Sequence, residues 1–323
     1  MPDNPKPNPF FKIAAAVEAV VIIAGCAGAG WYFFLRDDTP VRDSVPASTS
    51  QQAVERTRAV IEKEEAYYRL DGKKILMQDG TYGEIFMPVF ADVPPARIDT
   101  EDIVTRNGYS FYKENGRITS ISGVDVSEYQ GEIDWEQVKN AGFDFAFIRV
   151  GYRTYGDGDI ILDERFEENL EGAAAAGIDT GVYFFSQAKN ADEAIEEADA
   201  VIDAIEPFDI TYPVVFDWEI IYDDSARTDK VTVDELTDSC ISFCERVKSA
   251  GYTPMIYQNK GTSMFKLDLP SLTDYDFWLA EYDTKPTYYY DYAIWQYASD
   301  GIVPGISGEV DMNISFVDYS KKN

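Results

Sequence analysis

The segment Val214-Val215-Phe216-Asp217-Trp218-Glu219 carries the residue pattern with the most chemistry in this chain. An apolar run of strand character leads into Asp-x-Glu, and alternate residues on a strand point to one side. Asp217 and Glu219 are therefore expected to face together, with Trp218 turned the other way or closing the rim. Like charges a few ångströms apart push each other's pKa values apart, so one carboxyl keeps its proton while the other stays ionised. That division is the minimum equipment for acid-assisted cleavage of a glycosidic bond. A pair of solvated loop acids would look the same from this motif alone in a chain with 58 acids. Two other acids shift the balance. Asp125 ends the first strand of the region in Gly123–Gly131, and Asp311 stands in Glu309–Asn313, after the last apolar segment. First and last strands are neighbours in a closed barrel, so Asp125, Asp217, Glu219 and Asp311 are expected around one mouth.

The elements that must position these acids follow from alternating strand and helix signals after about Ile121. Strands are expected at Val124–Val126, Phe143–Val150, Gly181–Ser186, Tyr212–Phe216, Pro254–Tyr257, Asp276–Ala280 and Ala293–Tyr297. Helices are expected at Trp135–Asn140, Glu164–Ala176, Ala191–Ile205 and Val233–Ala250. Such alternation implies an α/β fold with a parallel sheet. Strands that end in carboxylates or aromatics favour closure into a TIM-like (β/α) barrel, whose active sites are assembled at the C-terminal strand ends. Helical signals are weak in the last third, so the barrel should be irregular.

Composition sets limits on the chemistry. With 28 basic and 58 acidic side chains the formal charge is 28 − 58 = −30, which argues against nucleic acid as a partner. The chain has no histidine, so neither a Ser-His-Asp triad nor an HExxH zinc site can exist. Its three cysteines form no CxxC pair, which excludes a thiolate zinc cage. Cys240 and Cys244, four apart on a helix, read as small buried apolar residues. The acids Asp157, Asp159, Asp163 and Glu168 are spaced somewhat like a calcium loop but lack its glycine and its third oxygen ligand.

Outside the barrel region three further parts are expected. Residues 1–36 read as a membrane anchor: seventeen uncharged residues from Ala19 to Leu35 follow Lys6, Lys12 and Glu18, the lower limit for a span at about 17 residues. The lysines place the N-terminus inside and the remainder outside the cell membrane. Ile23-Ala24-Gly25-Cys26 also resembles a lipobox, in which Cys26 would be lipidated. Residues 37–50 read as a flexible linker. Residues 51–120 read as an accessory or stalk region, with a charged helix over 51–70 and short strands such as Lys74–Met77 and Glu84–Phe90.

The pieces DVSEYQGEIDW (125–135), FAFIRVGYR (145–153), GVYFFSQA (181–188), PVVFDWE (213–219), FWLAEY (277–282), AIWQYAS (293–299) and EVDMN (309–313) together resemble glycoside hydrolase family 25, the Chalaropsis-type lysozymes. The resemblance covers roughly residues 121–319, with 121–323 as the catalytic barrel. It implies a peptidoglycan hydrolase that cuts the β-1,4 bond between N-acetylmuramic acid and N-acetylglucosamine. Glu219 resembles the general acid/base and Asp217 its partner carboxylate, acting as nucleophile or by steadying a substrate acetamido oxygen. Asp125 and Asp311 resemble the flanking acids that tune Glu219. Neither a metal nor a cofactor is implied, and the protein is expected to be monomeric. The family 18 chitinase pattern fails, because Val215 and Tyr212 stand where it needs acids. Two rival readings keep the barrel: a catalytically silent wall-binding module, and a glycosidase for other N-acetylated glycans.

Flat rings near strand ends are natural sugar platforms. Tyr183, Phe185, Trp218, Tyr257, Trp278, Tyr282, Trp295 and Tyr297 are the candidates, with Tyr183 and Trp295 foremost because each lies inside a matched piece. Ordinary core packing would account for any one of them. Glu281 adds an acid near the mouth whose role the sequence leaves open.

Overall fold

A computed structural model describes residues 70–79, 83–222 and 226–321. Its described residues fall into two units, one within 70–91 together with Tyr222, the other within 92–221 and 226–321. In the first, the described part is an antiparallel hairpin of β1 (Leu70–Asp79) and β2 (Gly83–Phe90), with Leu76 opposite Phe86. The expected anchor over 1–36, the linker over 37–50 and the helix over 51–70 lie outside the described residues, except that Leu70 opens β1. Among the described residues no helix is long and apolar enough to cross a membrane.

The second unit begins at Asp92, well before the expected catalytic boundary at 121. Its first part is an antiparallel sheet of β3 (Ile103–Arg106), β4 (Tyr109–Glu114) and β5 (Arg117–Ile118). Aromatic edges fasten this sheet to the remainder of the unit. The Tyr112 ring meets Phe316 at 5.4 Å and the Tyr109 ring meets Phe143 at 5.5 Å, both edge-on. Upstream, Arg97 pairs with Asp291 at 2.7 Å and Asp291 N–H donates to the Pro94 carbonyl. Residues 92–120 are thus part of the barrel unit rather than of a separate stalk.

The barrel itself has eight strands: β6 (Ile121–Val126), β7 (Phe145–Arg153), β9 (Asp179–Ser186), β10 (Val214–Trp218), β11 (Pro254–Asn259), β12 (Asp276–Ala280), β13 (Ile294–Gly301) and β14 (Val310–Ser315). A short strand, β8 (Ile160–Leu162), folds back antiparallel on β7. The first seven barrel strands run parallel, and β14 closes the ring by pairing antiparallel with both β13 and β6. An antiparallel last strand presents its beginning where its neighbours present their ends. That is why Asp311, second in β14, lies directly opposite Asp125, next to last in β6.

Helices α1 (Trp135–Asn140), α2 (Phe166–Ala175), α3 (Ala191–Ile205), α4 (Val233–Ser249) and α5 (Lys260–Lys266) lie in the connections up to β12. Their starts are written in the sequence. Asp134, Asn190, Thr232 and Asn259 each accept a backbone N–H from the first turn, a cap worth about 1 kcal/mol. On α3 the fully buried Ala194, Ala198, Val201 and Ile205 form one face, and each larger residue contributes ~1.5–3 kcal/mol by its burial. No α-helix lies between β12 and β14, in line with the weak helical signal there.

Aromatic rings fill the barrel interior. Phe145 and Phe147 meet edge-on, Phe145 stacks on Tyr212 at 4.7 Å, and Phe147 stacks on Trp278 at 4.5 Å. Two inward glycines make room for them. A Cβ on Gly123 would come within 2.3 Å of the Phe145 ring, and one on Gly181 within 2.5 Å of Phe147.

Because Tyr112 covers Phe316, Tyr112→Ala is expected to remove ~3 kcal/mol from the barrel unit, a fall in Tm of roughly 6–12 °C. Thermal unfolding of a soluble form starting at Asp37 measures it. An unchanged Tm would mean that residues 92–120 are merely attached.

Candidate active site

The four acids expected at the mouth are brought together there. Asp125 and Asp217 sit on the inward side of β6 and β10 and are almost wholly buried, at 6% and 5% exposed. Glu219 follows one residue beyond the end of β10, and Asp311 enters from β14; both are half-buried. Loss of hydration is the largest influence on all four, and it disfavours their charged forms. Burial, then the charges of Glu219 and Asp125, push Asp217 well above the usual carboxylate range. Burial and Asp125 bring Glu219 up to about 7. Burial, then Asp125 and Glu219, take Asp311 to about 8. Asp125 is raised only to about 6, because hydrogen bonds from Asn313 and Gln296 oppose the effect of burial.

Those two amides are residues that the motifs did not single out. Gln296 Nε2 and Asn313 Nδ2 both donate to Asp125 Oδ2 at 2.8 Å. By contrast Asp217 Oδ1 is buried without a hydrogen-bond partner. The register alone would have brought out both amides: Gln296 lies opposite Asn313 on β13 and β14, two residues from Asp311 along the same inward row.

The main chain around Glu219 is held from outside the barrel. Gln187, fully buried after β9, donates Nε2–H to the Glu219 carbonyl at 2.9 Å, and its Oε1 accepts from Thr228 Oγ1 at 2.8 Å. Arg227 donates to the Gln187 carbonyl and grips Glu193 of α3 with two nitrogens at 2.8 and 2.7 Å. Trp218 points outward and donates its indole N–H to the Ala188 carbonyl at 3.1 Å. The residue before Glu219 and its own carbonyl are thus both tied down.

Arg149, inward on β7, is the cation of the site and was likewise missed. Its Nε donates to Asp163 Oδ2 at 2.8 Å, one terminal nitrogen reaches Glu128 at 3.1 Å, and its guanidinium lies 5.0 Å from the Tyr129 ring centre. Its charge draws Asp217 and Tyr183 down, against burial and the nearby acids. Asp163 is therefore engaged by Arg149 and by the Glu128 and Arg165 amides rather than in a calcium loop. Among the described residues no three acids are grouped to hold a metal ion.

The eight candidate platforms divide into three kinds. Tyr183 and Phe185 are half-buried on the inward face of β9, and Tyr282 is 55% exposed just beyond β12. Tyr257 and Trp278 are buried, their rings 4.7 Å apart, and they form the floor beneath the acids. Trp218, Trp295 and Tyr297 do not reach the mouth. All three are buried, with Trp295 Nε1–H given to the Glu281 carbonyl and Tyr297 OH to Met312 Sδ. Trp295 is placed by strand alternation on the side opposite to Gln296, which corrects the expectation that made it a foremost platform. Glu281 proves to be an anchor: its carboxylate takes Lys260 Nζ at 2.7 Å and the Thr287 and Tyr288 amides, fixing the loop that carries Tyr282.

A barrel mouth lined by paired acids and open aromatic faces belongs to the class of carboxylate-dependent hydrolases. The profile of glycosyl hydrolases family 25 matches residues 124–306, and the chain belongs to that family. It is 29% identical over 208 residues to Lysozyme M1 of Streptomyces globisporus, covering 60% of this chain and 67% of that protein. It is 25% identical over 195 residues to the autolytic lysozyme of Clostridium acetobutylicum, covering 60% of this chain and 55% of that one. The chain thus spans about two thirds and just over half of these relatives. A family 25 glycosyl hydrolase from Bacillus anthracis superposes with a TM-score of 0.52 at 21% identity, over 66% of this chain and 96% of that one, which shows a shared fold.

The raised carboxyls make a stability prediction with a definite sign. A carboxyl whose folded pKa is raised favours folding most when protonated. Its contribution is complete below about pH 4 and is lost as pH rises through about 7 for Glu219 and about 8 for Asp311. Asp311→Asn should therefore raise Tm relative to wild type at pH 8.5, and the gap should close by pH 4. Thermal melts across that range check it; a gap that is constant with pH would refute the raised pKa.

Proposed function

We propose that this chain is an N-acetylmuramidase that hydrolyses the β-1,4 bond between N-acetylmuramic acid and N-acetylglucosamine in peptidoglycan glycan strands. The observation that carries the reading is Glu219 at the barrel mouth, able to hold its proton up to about pH 7 beside a second buried carboxyl, Asp217. In this reading Glu219 gives its proton to the leaving glycosidic oxygen and then takes one from the attacking water. In its ionised form, which the Arg149 charge favours against burial, Asp217 serves on the other side of the reaction centre as a nucleophile or as support for the substrate's own acetamido oxygen. Asp125 and Asp311 set the charge around Glu219. Tyr183, Phe185 and Tyr282 offer ring faces to the sugar C–H surfaces. The names of two relatives, both lysozymes, support the substrate class. The apolar stretch before Arg36 supports attachment to the outer face of the cell membrane, through a single span or through lipidated Cys26, which would keep the enzyme within reach of the wall.

The test uses a soluble form starting at Asp37 with purified peptidoglycan. New sugar ends are reduced with borohydride and identified by mass spectrometry. Reduced N-acetylmuramic acid ends are expected, with kcat falling about 10²–10⁴-fold in Glu219→Gln and a basic limb of the pH profile near 7. Reduced N-acetylglucosamine ends, or wall binding without release, would overturn the assignment.

A further inference from the structure

Four carboxyls face one space, and some member of the set has to carry the negative charge while Glu219 keeps a proton. The hydrogen-bond geometry singles out Asp125. Its Oδ2 receives two amide N–H groups, from Gln296 and Asn313, each at 2.8 Å. An Asn or Gln amide can in general face either way, donating or accepting. Here Asn313 is fixed from behind, and Gln296 has both hydroxyl partners on its oxygen. The indole N–H of Trp278 can only donate, and it meets Asn313 Oδ1 at 2.8 Å. The hydroxyls of Tyr257 and Tyr282 both donate to Gln296 Oε1, at 2.9 and 2.8 Å. For Asn313 the donor-only indole turns the amide nitrogen toward Asp125; for Gln296, whose hydroxyl partners could also accept, the ionised Asp125, an acceptor only, completes the choice.

We propose that Asn313 and Gln296, oriented by Trp278 on one side and by Tyr257 and Tyr282 on the other, are positioning residues that keep Asp125 the anion of the cluster and so leave the proton on Glu219. The inference rests on the muramidase reading of the site. It assigns three of the aromatic residues a second task. Trp278 and Tyr257, buried beneath the acids, act through their polar hydrogens rather than their faces. Tyr282 joins an exposed ring to the orientation of a buried amide.

The groups that face Asp125 are accounted for on every barrel element around it. Arg149 stands on β7 and Tyr183 on β9. Asp217 and Glu219 come from β10, Tyr257 from β11, Tyr282 from the end of β12 and Asp311 from β14; the β13 member is the neutral Gln296. Of these, Asp311 and Glu219 are themselves pushed up in part by the charge on Asp125. An anion held at Asp125 therefore raises its neighbours, which is the direction a proton donor requires.

Two variants release the amides without touching Asp125: Trp278→Phe frees Asn313, and the double variant Tyr257→Phe/Tyr282→Phe frees Gln296. The carboxyl carbon of Asp125, assigned by comparison with Asp125→Asn, is followed by ¹³C NMR in Asp-labelled protein, alongside pH profiles of kcat on peptidoglycan. Loss of a hydrogen bond to a charged group moves a pKa by about one unit. In each variant the Asp125 midpoint and the acidic limb of kcat should therefore rise by about one pH unit, with KM little changed. Trp278 is also packed on Phe147; should its variant misfold, the tyrosine pair, which loses only two hydroxyls, decides the matter. A folded tyrosine variant with reduced kcat but an unmoved Asp125 midpoint would overturn the proposal and leave these residues a merely structural role. Absence of sugar release from wild-type protein would instead defeat the muramidase reading, and the NMR midpoints would still decide whether the amides hold Asp125 as the anion.

Discussion

The rest of this structure depends on holding four carboxyl groups in one poorly hydrated mouth. Left to water, each would ionise near pH 4 and the set would repel itself apart. Burial removes the hydration that makes charge inexpensive, mutual repulsion adds to the effect, and the only strong relief within reach is unequal. Asp125 has two amide donors; Asp217 has a bare buried oxygen; Arg149 offers its charge, but its nitrogens bond to Asp163 and Glu128. The outcome is a graded cluster in which Asp125 ionises first and Glu219 and Asp311 keep their protons toward neutral pH. A site with that gradation can give a proton and tolerate a developing positive charge at the same time.

The barrel is what makes the crowding sustainable. Parallel strands bring Asp125 and Asp217 to the same end, and the reversal of β14 brings Asp311 to it from the opposite chain direction. Below the acids the interior is closed by Phe145, Phe147, Tyr212, Tyr257 and Trp278, which exclude water and stiffen the floor. Above and outside, Gln187, Trp218 and the Arg227–Glu193 pair tie down the chain at Glu219. A loss of about 1 Å in such positioning is enough to cost orders of magnitude in rate. The cost of the site is therefore carried by packing at a distance from it.

Much of this was legible in the residues. Helices Trp135–Asn140 and Ala191–Ile205 have the bounds that their caps and apolar stripes imply, and Asp276–Ala280 is the strand its pattern suggests. The four acids stood out because strand-end carboxyls at both extremes of an alternating region must meet if the sheet closes. What was not legible depends on direction and side. A short apolar run such as Val310–Ser315 does not reveal that it runs antiparallel. Trp295 and Tyr297 lie within β13 as Tyr183 lies within β9, yet the irregular register between Gln296 and Ala298 and the facing of Gln296 put them outside. Residues 92–120 carry no chemistry, and their membership of the barrel unit rests on contacts such as Tyr112 with Phe316 that bridge distant parts of the chain. The amides Gln296 and Asn313 went unnoticed because a neutral side chain draws attention only once its hydrogen-bond partner is known.

The most direct test of the charge division at the mouth is neutron diffraction from a deuterated crystal of the soluble form held at mildly acidic pH, where Asp125, with its two amide donors, is the group that ionises first. Nuclear density for a deuteron is expected on the Glu219 carboxyl and none on Asp125, with the Gln296 and Asn313 amide deuterons both directed at Asp125 Oδ2. A deuteron on Asp125 beside a bare Glu219, or either amide turned with its oxygen toward Asp125, would contradict it.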